Sequence, residues 1–81
     1  MFKKGDIVLC TGDFEDNNTK GKLGRIVDLW GSDFKIGFFE KTEKTNMSTG
    51  LCQQEYGDEI KSTWWVRGYL LRKAMTKNKF K

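Results

Sequence analysis

The longest uninterrupted apolar run in this chain is Ile7-Val8-Leu9-Cys10, and the other runs are shorter still. Runs of this kind are too short to build a buried helical stripe. They are also rich in β-branched and aromatic side chains, which favour a pleated, half-buried surface. The chain therefore reads as a series of short strands. The first is Ile7-Val8-Leu9-Cys10, after Gly5-Asp6. Residues 11–22 form a loop by composition. Ile26-Val27-Asp28-Leu29-Trp30 is the second strand, Gly31-Ser32-Asp33 a tight turn, and Phe34-Lys35-Ile36-Gly37-Phe38-Phe39 the third strand. A turn that short makes the second and third strands a hairpin. Residues 40–62 are mostly polar and read as a long connection. Trp64-Trp65-Val66-Arg67 is the fourth strand, Gly68-Tyr69-Leu70-Leu71 one 3₁₀ turn, and Arg72-Lys73-Ala74-Met75 a short fifth strand.

A chain of 81 residues has room for one domain. Only 37% of it is apolar, but Phe, Trp and Tyr supply 14% of all residues, so a small core of large side chains remains possible. The expected fold is all-β: a small, five-stranded, strongly bent antiparallel barrel over residues 1–75, with a short 3₁₀ turn before the last strand. Closure deals with its sheet edges. Residues 76–81 are expected to be a flexible basic tail.

Strand alternation sorts the side chains. Phe34, Ile36 and Phe38 are expected to face inward with Val8, Cys10, Ile26, Leu29 and Leu71. Ile7, Leu9, Val27 and Phe39 fall on the opposite face, and one of Trp64 and Trp65 must join them in a regular strand. That outward apolar surface has two explanations. Either a bulge near Val27, or a cover formed by the 40–62 connection and the C-terminal turn, accounts for it, or it is a partner-binding patch or a dimer contact.

Several chemistries have little support. The chain has no His and two Cys, which removes His-based acid–base catalysis, the usual Ser-His and Cys-His pairs, and the common zinc sites. Its carboxylates lie in polar loops, and loop 13–16 lacks the ligand spacing of a calcium loop. No enzyme activity, no metal and no cofactor are expected. Cys10 and Cys52 read as free thiols in a reducing compartment. Met1-Phe2-Lys3-Lys4-Gly5-Asp6 lacks an apolar signal core, and no run approaches a membrane span, so a cytoplasmic location is expected.

Charge is unevenly spread. The net +4 divides into −2 over residues 1–65, from nine basic and eleven acidic side chains, and +6 over residues 66–81. The latter comes from Arg67, Arg72, Lys73, Lys77, Lys79 and Lys81. A basic end of this kind attracts phosphate backbones or acidic partners. Lys20, Lys22 and Arg25 flank a second basic corner around Gly21 and Gly24. There the chain turns from a wide loop into a bent strand, and needs either positive φ or close backbone approach.

Three segments carry a family resemblance: Gly5-Asp6-x-Val8, Lys20-Gly21-Lys22-Leu23-Gly24-Arg25-Ile26-Val27, and Trp65-Val66-Arg67-Gly68-Tyr69-Leu70-Leu71-Arg72. Together they resemble an SH3-like barrel of the KOW type, over roughly residues 3–75. KOW modules share the Lys-Gly-x-x-Gly turn and a closing turn whose leucine plugs the barrel. The long 40–62 connection departs from the compact pattern. The resemblance implies a binding module of transcription elongation factors or ribosomal proteins, and a lone module of this size is similar to a phage-encoded accessory protein.

The leading expectation is thus a non-enzymatic module that contacts nucleic acid, or a nucleic-acid-processing complex. Lys20, Lys22, Arg25, Arg67, Arg72 and Lys73 would meet phosphates, and Trp30, Trp65 and Tyr69 would stack bases. The rival is a protein-interaction module, a small modulator or inhibitor of a host or viral enzyme. It would dock through Ile7, Leu9, Val27, Phe39 and Trp65, or through a barrel edge.

Overall fold

A computed structural model describes residues 2–74. The basic tail with Lys77, Lys79 and Lys81 lies outside the described residues, as does Met75. The elements are β1 (Ile7–Cys10), β2 (Leu23–Trp30), β3 (Asp33–Phe38), α1 (Thr49–Tyr56), β4 (Ser62–Arg67), a 3₁₀ turn (Gly68–Leu70) and β5 (Leu71–Lys73). The strands form one antiparallel sheet in the order β4-β3-β2-β1-β5.

The edge strands β4 and β5 are consecutive in sequence, joined only by the 3₁₀ turn. Laid flat, five strands spaced about 4.8 Å apart would hold their edges roughly 19 Å apart. The four steps from Arg67 to Leu71 through this turn span about 8 Å at ~2 Å per residue. The sheet must therefore curl strongly. It is not closed, because no ladder joins β4 to β5 among the described residues. The strong bend is present and the closed barrel is not.

The concave face holds the main core. Val8, Cys10, Ile26, Ile36, Phe38, Val66 and Leu71 are buried there, and Phe2, Phe14, Phe34, Trp64 and Leu70 pack around them. Leu29, expected inside, is 41% exposed. It does pair with Phe34, but β1 accompanies β2 only from Leu23 to Arg25, so Leu29 lies on the overhanging end of the hairpin.

The pairing of β2 with β3 shifts register between Ile26 and Asp28, a β-bulge at Val27, whose side chain faces the convex side as alternation from Ile26 requires. There Val27, Cys52 and Ile60 form a second buried cluster with Phe39 and Tyr56 beside them. Its cover is α1, an element the all-β expectation lacked. Gly37 makes the close packing possible: a Cβ there would lie 2.6 Å from the Ile60 Cδ1 atom. The outward apolar patch is thus covered in part. Val27 is buried, while Ile7, Leu9, Phe39 and Trp65 are half-buried.

The glycine turn takes both forms its residues imply. Gly21 has φ +80°. Gly24 serves close approach, since its Cβ would sit 2.7 Å from the Gly37 carbonyl oxygen. In the preceding loop, Phe14 to Asn17 form a tight turn closed by Asn17 N–H donating to Phe14 C=O at 3.1 Å. Its central residues, Glu15 and Asp16, both have positive φ, at 56° and 59°. The buried Asn17 side chain then clasps the 40–48 segment. Its Nδ2 donates to Lys44 C=O and its Oδ1 accepts from Lys44 N–H, each at 2.8 Å.

Candidate nucleic-acid interface

The hairpin turn and the 3₁₀ turn meet at one end of the sheet. Gly68 N–H donates to Ser32 C=O at 2.9 Å, and no side chain fits at position 68, where a Cβ would lie 2.9 Å from Phe34. This contact brings the segments carrying Trp30 and Tyr69 together, and both side chains are 79% exposed. Trp30 pairs in register with Asp33, which pairs with Arg67. Arg67 Nε is 2.8 Å from Asp33 Oδ1, and the same guanidinium lies 5.6 Å from the Phe14 ring centre. Trp65 lies two register rows further along, opposite Lys35, and is half-buried. Trp64 packs against the concave core and donates through Nε1 to Phe14 C=O at 3.3 Å. The backbone thus brings Trp30, Arg67 and Tyr69 to the same end of the sheet, with Trp65 on the same strand as Arg67.

The remaining cations divide by their partners. Arg25 is half-buried. Its Nη1 donates to Gly5 C=O at 3.0 Å and its Nη2 lies 3.5 Å from Glu59 Oε2, tying β2 to the segment after α1. Lys73 Nζ is 3.6 Å from Asp6 Oδ2. Lys20, Lys22 and Arg72 form no ion pair among the described residues. They gather where β1 is flanked by β2 and β5. Cys10 N–H donates to Lys22 C=O, and Leu9 pairs with both Leu23 and Arg72. Three of the six cations singled out from the sequence thus make an ion pair and three do not, although the Lys20 backbone N–H donates to Asp13 Oδ1 at 2.9 Å, which sets a carboxylate beside that residue too.

Among the described residues, no group of three or more His, Cys, Asp or Glu is placed to hold a metal ion, and no helix is long and apolar enough to cross a membrane. No family model matches the chain, and no curated protein or solved structure matches it either.

Proposed function

We propose that this protein is a non-enzymatic, SH3-like module of the KOW kind that binds single-stranded nucleic acid in the cytoplasm, alone or within a nucleic-acid-processing complex. The observation that carries this reading is the pair Trp30 and Tyr69. Two large aromatic side chains stand in solvent on neighbouring turns, beside an arginine. Neither contributes to the core, and aromatic faces in that setting stack unpaired bases at about 1–3 kcal/mol each. Lys20, Lys22 and Arg72 supply the phosphate contacts, with the C-terminal basic residues adding to the field. Arg25 and Lys73 hold the fold rather than the ligand. The rival reading would dock through a patch whose centre, Val27, is buried beside α1.

Fluorescence anisotropy with labelled single-stranded and duplex oligonucleotides tests the reading. Three phosphate contacts on a single strand correspond to a slope of about −2 in log K against log salt. Single-strand binding is expected to exceed duplex binding and to quench Trp fluorescence. Trp30→Ala and Tyr69→Ala are each expected to weaken it about tenfold or more. Arg72→Glu is expected to flatten the salt slope. Unchanged binding in both aromatic variants, or no binding at low salt, rejects the proposal.

A further inference from the structure

The convex cluster depends on a helix with little stability of its own. Isolated helices shorter than about 12–15 residues are marginal in water, and α1 has eight. Gly50 lies in its first turn. The N-cap residue, Ser48, makes no side-chain capping bond, and neither end carries charges that complement the helix dipole. Cys52 is its one buried side chain, while Leu51 faces solvent. The helix is held by what it sits on. The Thr49 and Thr63 hydroxyls share a hydrogen bond at 2.9 Å, Gln53 Nε2 donates to Ile60 C=O at 2.6 Å, and Lys35 Nζ donates to Ser48 Oγ. The sheet below needs none of these bonds. Its ladders and its concave core contain no residue of α1.

We infer that α1 is a lid. Residues 49–56 open as a unit while the sheet stays folded, and the open form presents Val27, Phe39 and Ile60 as an apolar strip on the convex face. Proteins open in such sub-global units, and segments with few buried apolar contacts open first. The chain would then exist in two forms, one with a covered outer face and one with that face open to solvent. This inference is independent of nucleic-acid binding.

The two cysteines report on the two regions. Cys52 lies under the lid, and Cys10 lies in the concave core. The test is thiol labelling of the intact protein with a disulfide reagent, without oligonucleotide, at increasing low denaturant. Cys52 is expected to react at least a hundredfold faster than Cys10 and with a much shallower denaturant dependence. Gly50→Ala is expected to slow Cys52 about fivefold, the factor its helix preference implies. Ile36→Val, a mild lesion of the other core, is expected to speed Cys10 several-fold and leave Cys52 unchanged. A single rate and a single denaturant slope for both thiols would mean that helix and sheet open together, which overturns the lid. So would a Cys52 rate indifferent to Gly50→Ala, because the thiol would then be reacting from the closed form.

Discussion

Phe38 and Gly37 are adjacent on β3 and point to opposite faces of one sheet, yet they serve regions built in different ways. Phe38 is fully buried in a core drawn from all five strands. Gly37 lies beneath a cluster of three buried residues whose cover is one short helix. The first region is redundant, since each side chain is held by neighbours on several ladders. The second is thinner, since its cover is only α1 and the short segment after it that carries Ile60.

The largest effect that would break this contrast is expected at Phe38. Phe38→Ala should cost about 3–5 kcal/mol, read as a loss of midpoint in chemical denaturation, because it empties the larger core. Gly37→Ala should cost less, about 1–3 kcal/mol. Its new methyl meets the flexible end of Ile60, which can shift toward the lid. Equal losses for the two substitutions would mean that both faces form one cooperative core. Asp16→Gly touches neither cluster and sharpens the scale. It relieves a positive φ in an exposed turn and should raise stability by about 0.5–1 kcal/mol, seen as a higher thermal midpoint. The smallest change is expected from Arg67→Ala, whose partly exposed pair with Asp33 is worth no more than about 1 kcal/mol. Thermal midpoints at low and high salt would show whether even that much is present.

Much of the sheet was legible because its signals are local. Ile7–Cys10 falls where the apolar run lies, and β3 and β4 fall within two residues of their expected bounds. The Gly31-Ser32 turn and the Gly68–Leu70 turn were marked by glycine and by the end of alternation. The helix was not legible. Thr49–Tyr56 has no apolar stripe, no capping side chain and an internal Gly50, so nothing in the segment itself asks for a helix. It packs where outward-facing Val27 and the bare backbone at Gly37 leave an apolar surface to cover. The cations show the same limit. Sequence located Arg25, Arg67 and Lys73 as basic, but their carboxylate neighbours Glu59, Asp33 and Asp6 are 34, 34 and 67 positions away. The exposure of Trp30 and Tyr69 likewise depends on where the two turns meet, which no local pattern encodes.

The pairing of β1 with β5 sets the order in which this molecule can assemble. Cys10 opposes Leu71 and Val8 opposes Lys73, contacts 61 and 65 positions apart. The β2–β3 hairpin, by contrast, closes over a turn of two residues. Short loops close quickly and distant pairings wait for the entropy of a long closure to be overcome. The sheet is therefore built from its middle outward. Its first strand keeps one open flank until the last strand arrives, and during that interval β1 is the segment most exposed to pairing with another chain.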